Sequence, residues 1–178
     1  MKKISAAAAM IGLLSATSLQ AAETQQCIPP ETAESLLTYV LPGALGALRT
    51  KCTSSLPANA PLLQTDSPQV QKYEAASAAA WPKAAPAIRI LAGQNFPADI
   101  ELDAFRPLID AMVPAMLVQE LKTEDCPTIN KVYSLLEPVP AANLATLTVM
   151  LAQLGSNETK ENEKDPFNIC KAPTESGS

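Results

Sequence analysis

The stretch from Cys27 to Cys52, CIPPETAESLLTYVLPGALGALRTKC, decides how the chain folds. Leu36, Leu37, Val40, Leu41, Ala44, Leu45 and Leu48 recur at three- and four-residue steps, the spacing of a broad apolar helix face. Pro30 suits the first turn, where a missing N–H costs nothing, and Glu31 and Glu34 lie near the positive end of the helix dipole. Arg49 and Lys51 stand at the opposite end, where cations are favoured. Pro42-Gly43 interrupts the pattern, because an internal proline removes a helix hydrogen bond and crowds the preceding turn. A kink or a break is predicted there. The distinction matters because a cysteine stands at each end. A continuous helix over 30–50 rises about 1.5 Å per residue and separates its ends by roughly 30 Å. A disulfide needs Cα atoms within about 7 Å. Cys27–Cys52 with Cys126–Cys170 therefore requires a helical hairpin at Pro42-Gly43. The nested pairing, Cys27–Cys170 with Cys52–Cys126, fits a helix that runs through. The sequence leaves both pairings open.

Outward from that stretch the helical period recurs. Ser67-Pro68 reads as an N-cap and first turn, and Val70, Tyr73, Ser77, Ala80, Ala84, Ile88 and Leu91 form a face that ends at Gly93. Trp81-Pro82 and Pro86 are expected to split this element in two. The small residues Ala75 to Ala80 let a neighbouring helix approach closely. Asp99 is expected to open a helix carrying Leu102, Phe105, Leu108, Ile109, Met112, Met116 and Leu121 on a core face, bent at Pro107 and Pro114. Asp125-Cys126-Pro127 opens another, with Ile129, Val132, Leu135 and Leu136 on one side. Beyond the Pro138-Val139-Pro140 turn, a last helix carries Leu144, Leu147, Leu151 and Leu154, stops at Gly155 and folds back on the helix before it. Residues 156–166 read as an exposed loop, with Phe167 and Ile169 docking beside Cys170. No segment alternates with period two, so no strand is predicted. The fold class is all-α: a compact bundle of five or more short, proline-kinked helices stapled by two disulfides.

The first 21 residues have the order of a cleaved secretory signal peptide. Lys2 and Lys3 precede an uncharged apolar run from Ile4 to about Leu14, and small residues lead to Ala21. The run is shorter than the roughly 20 residues a membrane span needs. The expected organisation is a signal at 1–21, a single helical domain at 22–170 and a disordered tail at 171–178, in the periplasm or secreted. Lys2 and Lys3 leave with the signal, so the net charge falls from −5 to −7. An acidic chain without a basic run excludes nucleic acid and anionic lipid as natural partners, since both demand Lys and Arg. No transmembrane segment follows the signal. An even cysteine count in an exported chain reads as two disulfides.

Catalytic constellations are sparse. The chain has no histidine, which removes the Ser-His-Asp and Cys-His arrangements and imidazole metal ligands. Pairing of Cys27, Cys52, Cys126 and Cys170 removes the thiolate nucleophile and, with no C-x-x-C spacing, zinc. Asp99, Glu101, Asp103 and Asp110 approach the spacing of a calcium loop, but Ala104 stands where that loop needs glycine and Asp110 where it needs a bidentate Glu, so they read as acids that begin a helix and complement its dipole. Met112 and Met116, one turn apart, have the spacing of copper(I) ligands but continue an apolar stripe, which reads as core. Glu120 and Glu124 read as a solvated helix end. Asn157-Glu158-Thr159 matches a glycosylation acceptor.

No metal or cofactor is therefore expected, and the reading leans away from an enzyme. The remaining candidates for a ligand groove are Tyr73 and Trp81, two turns apart on one predicted helix. The function expected is that of an exported, non-catalytic binding or interaction protein, since proline kinks open grooves between helices. Its partner is either a protein or a small apolar ligand. The alternatives are a hydrolase or lyase that uses the carboxylates alone, and a structural envelope protein.

Overall fold

The computed structural model describes residues 26–93, 101–119, 121–158 and 168–171. They form five α-helices: α1 Pro30–Cys52, α2 Pro68–Ala92, α3 Arg106–Leu117, α4 Cys126–Leu136 and α5 Ala141–Glu158. Short 3-10 turns occupy Pro61–Leu63, Leu102–Phe105 and Thr123–Asp125. Among the described residues there is no strand beyond an isolated parallel bridge between Ile28 and Ile169. The predicted signal at 1–21, Phe167, and the tail beyond Lys171 lie outside the described residues.

α1 runs unbroken through Pro42-Gly43 for 23 residues. That length keeps Cys27 and Cys52 far apart, and the pairing is nested: Cys27–Cys170 and Cys52–Cys126. The first bond is flanked by backbone hydrogen bonds from Ile28 N–H to Asn168 and from Cys170 N–H to Ile28, each 2.8 Å. The Gln153 side chain also donates to the Cys170 carbonyl.

α2 is a single helix of 25 residues, not the two pieces its prolines suggest. Pro82 and Pro86 lie four residues apart on the solvent side, with Ala78, Ala79 and Lys83 exposed around them. The carbonyls freed by each missing N–H therefore face water, and the helix bends gently instead of breaking. Ser67 Oγ accepts from Val70 N–H at the start. At the end Gly93 adopts φ 70°, a left-handed conformation natural to glycine, and its N–H closes onto Arg89 and Ile90.

α1 is the hub and packs against α2, α3 and α5. Leu45 and Cys52 near its C-terminal end share an apolar cluster with Tyr73, Cys126, Tyr133 and Ala141. Ala33 near its start shares another with Ile28, Ala87 and Val149. α2 and α5 consequently both run antiparallel to α1. The predicted α4–α5 hairpin gives way to a different packing, with α4 on the turn Pro61–Leu63 and α5 along α1. The Cys52–Cys126 bond explains this, because it draws the start of α4 to the end of α1.

The α3 stripe expected in the core faces outward instead, and so does the leucine stripe of α5. Leu108, Met112 and Met116 of α3 and Leu147, Leu151 and Leu154 of α5 are each at least half exposed. In α5 the inward face is the smaller set Ala141, Ala145 and Val149, which lets that helix lie close against α1. In α3 the inward face carries Arg106, Ile109 and Pro114. Helical period identifies a stripe, but here the smaller or more polar face is the buried one. The last helix also continues past Gly155 to Glu158. The α3 region opens with a 3-10 turn at Leu102; Asp99, its expected first residue, is outside the described residues.

Candidate functional site

The crossing of α1 and α3 is set by two residues that lack a normal side-chain or backbone group. A Cβ on Gly43 would come within 2.8 Å of the Pro114 ring, so only glycine permits this approach. Beside the contact, a cavity of about 210 Å³ opens between α1, α2 and α3. Val40, Pro42, Ile109 and Pro114 supply apolar walls, and Tyr39, Ser77, Arg106 and Asp110 supply polar ones. Pro42 and Pro114, two of the predicted kink points, border it.

Tyr39 organises the polar wall. Its ring is buried on the inner face of α1 and stacks at a tilt on Trp81 of α2, with centroids 4.7 Å apart. Ser77 Oγ donates to the Tyr39 carbonyl at 2.6 Å, which the small-residue stretch of α2 allows by bringing the two backbones together. The Tyr39 hydroxyl donates to an Asp110 carboxylate oxygen and accepts from Arg106 Nε–H at 3.2 Å. Burial, reinforced by the hydrogen bond to Asp110, pushes the Tyr39 pKa up to about 12, with Arg106 opposing. At neutral pH it is a neutral donor.

Arg106 is held from a second direction. Its guanidinium carbon lies 5.4 Å from the Tyr39 ring centre and 5.1 Å from that of Trp81, within cation–π range of both. Arg106 and Asp110 are one turn apart on α3, a spacing at which opposite charges ordinarily meet. Here both turn to the Tyr39 hydroxyl instead. Among the described residues the Arg106 terminal nitrogens make no hydrogen bond or ion pair, and the second Asp110 oxygen accepts none.

The two aromatic residues singled out from sequence have separate roles. Tyr73 and Trp81 are both buried, in different apolar clusters. The Tyr73 hydroxyl accepts from Gln69 Nε2–H and shares its proton between the Leu136 and Val139 carbonyls, fastening the α4–α5 turn to α2. Trp81 donates its indole N–H to Asp103 and offers its ring to Arg106. Only Trp81 stands next to the cavity's polar wall.

The acidic residues read from sequence also separate. Asp103 and Asp110 accept from Trp81 and Tyr39. Asp99 and Glu120 are outside the described residues. Among the described residues, no group of three or more His, Cys, Asp or Glu side chains is placed to hold a metal ion. Sequence reading missed Tyr39 and Arg106. Tyr39 sits inside a Leu/Val run, where an aromatic reads as core. The signal that was available is Arg106-x-x-x-Asp110, an oppositely charged pair at one-turn spacing.

A different surface lies on α5, where Leu147, Met150, Leu151 and Leu154 are 51%, 54%, 59% and 63% exposed. No charged residue occurs between Pro138 and Asn157. Among the described residues no helix is long and apolar enough to cross a membrane. Comparison with protein-family models, with curated proteins and with solved structures finds no match to this chain.

Proposed function

We propose that the mature chain is an exported, non-catalytic protein that binds a small molecule in the cavity at the α1–α3 crossing. The carrying observation is the cavity's polar wall, where Arg106 is fixed by two aromatic rings and a hydroxyl but, among the described residues, keeps its terminal donors unspent. Side chains that hold position without a ligand lose little entropy when one arrives. A structural ion pair would instead close Arg106 onto Asp110. The two disulfides support an oxidising compartment, and the order of residues 1–21 supports export to it. A polar wall favours a polar ligand over the apolar one expected from sequence.

The test is native mass spectrometry of the processed protein purified from its own host. The reading predicts a bound small molecule that is absent from the Arg106→Gln variant. A ligand-free protein under gentle conditions, together with no response of Trp81 to a metabolite extract of that host, would contradict it.

A second reading is favoured by the outward face of α5. Its apolar residues at 147, 150, 151 and 154 follow helix-contact spacing, and its uncharged length lets two acidic copies meet without repulsion. That reading predicts a dimer by light scattering that Leu151→Lys dissociates. A monomer at all accessible concentrations would remove it.

A further inference from the structure

We infer that the cavity selects a small zwitterion, with a carboxylate on Arg106 and an ammonium on Asp110. This rests on the binding role proposed above and names the ligand class for the same site. The Tyr39 hydroxyl stands between the two charged side chains as a wedge, receiving Arg106 Nε–H on one side and donating to Asp110 on the other. Among the described residues the wedge leaves a guanidinium with free terminal N–H groups and a carboxylate with a free oxygen, both lining one cavity. A planar guanidinium is matched to a carboxylate in a two-pronged pair. The free Asp110 oxygen is matched to an ammonium.

Charge balance excludes simpler ligands. An anion alone gains Arg106 but meets the Asp110 charge, and Asp103 adds a further negative charge beside Trp81. A cation alone gains Asp110 but meets Arg106. A molecule carrying both charges a few ångströms apart satisfies both, because residues one helical turn apart present their side chains about 6 Å apart. Size narrows the class further. A volume of about 210 Å³ is below the roughly 300–1,000 Å³ of sites for drug-sized ligands, so it suits a ligand of few non-hydrogen atoms. That is the size of a small α-amino acid, whose aliphatic body would rest on Val40, Pro42, Ile109 and Pro114.

The chain contains one tryptophan, Trp81, so its indole N–H gives one NMR signal beside the site. The processed protein is titrated with glycine, L-alanine, L-serine and L-valine, and with the single-charge analogues of valine, isovalerate and isobutylamine. At least one amino acid is expected to shift the indole signal saturably, and each analogue of the valine skeleton to bind at least about tenfold more weakly than valine, a factor of one full pair interaction. Asp110→Asn keeps an acceptor for Tyr39 and should reverse the order, so that isovalerate matches or exceeds L-valine. Arg106→Gln should do the same for isobutylamine. Equal binding of valine and either analogue by the wild type overturns the zwitterion assignment, as does the absence of any saturable shift with all four amino acids. If native mass spectrometry then recovers an uncharged or singly charged molecule lost in Arg106→Gln, the binding role stands and only the ligand class falls. If it recovers nothing, both fall.

Discussion

Tyr73 and Trp81 lie eight residues apart on the same helix, both buried, yet they do opposite things with their polar atoms. Tyr73 spends its hydroxyl on Gln69 and on two backbone carbonyls of the α4–α5 turn, in a cluster that also holds the buried Cys52–Cys126 bond. The Tyr73 hydroxyl is left with nothing to offer a ligand. Trp81 gives its N–H to an exposed carboxylate and its ring face to a guanidinium whose outer donors are unspent among the described residues. The difference comes from what each residue packs against. Tyr73 faces a region where a disulfide pulls the chain shut. Trp81 faces α3, which prolines and Gly43 bring close at one point and leave open beside it.

The largest expected effect comes from opening the closed end. Replacing both Cys52 and Cys126 with Ala should cost about 4 kcal/mol for a loop of this length, with the sequence separation being 74. Denaturant unfolding measures it. The cavity's ligand should still bind below the unfolding transition, since the bond lies in the other cluster. A variant that loses binding while folded would merge the two regions into one.

A smaller contrast is expected from removing the two polar groups singly. Tyr73→Phe leaves the Gln69 side chain and two carbonyls short of partners and should cost about 1–2 kcal/mol of stability. Trp81→Phe releases only the exposed Asp103 and weakens the stack on Arg106, so it should lose less stability and more affinity. Equal stability losses would show that the Trp81 side is as much a staple as the Tyr73 side.

Gly43 and Gly46 on α1 sharpen the close approach. Gly43→Ala gains helix propensity but drives a methyl against the Pro114 ring, and the clash should win by about 1 kcal/mol. Gly46→Ala meets nothing within 4 Å and should stabilise by about 0.5–1 kcal/mol. Thermal unfolding of the pair reads both signs. Two stabilised variants would refute the crossing at Gly43.

The last contrast is spectroscopic. Tyr39 should ionise near pH 12, above the ordinary tyrosine value, and Asp110→Asn should lower it. The folded protein favours the neutral phenol, so this stabilisation is complete below the unfolded value near pH 10. It is lost as pH rises through 12, because the unfolded chain releases its proton first. Absorbance titration of a Tyr73→Phe, Tyr133→Phe double variant isolates the Tyr39 signal. An ordinary value there would remove Tyr39 as the buried wedge.

Much of the fold was legible. Apolar spacing placed the five helices, and the length of α1 decided between the pairings once that helix was known to be continuous. The prolines were the obstacle. Pro82 and Pro86 share a solvent-facing side, and only the three-dimensional packing tells which side that is. The same blindness puts Met112 in the core, because period identifies a stripe without saying whether a larger or smaller face turns inward. Of the candidate site, Trp81 stands out from sequence as a groove residue, Asp110 only as part of an acidic cluster, and Pro42 only as a kink. Tyr39 was hidden in an apolar run, and its meeting with Arg106 spans 67 residues that no local pattern connects.

One aromatic residue of α2 is proposed to border a binding site, while the other is a fastening. Selective labelling of the Trp81 indole and the Tyr73 and Tyr39 rings, followed by titration with the amino acid that binds best, tests it directly. Saturable shifts are expected at Trp81 and Tyr39 with the Tyr73 signals unmoved. Shifts at Tyr73 alone, or no shift at Trp81 and Tyr39 with any of the four amino acids, would contradict it.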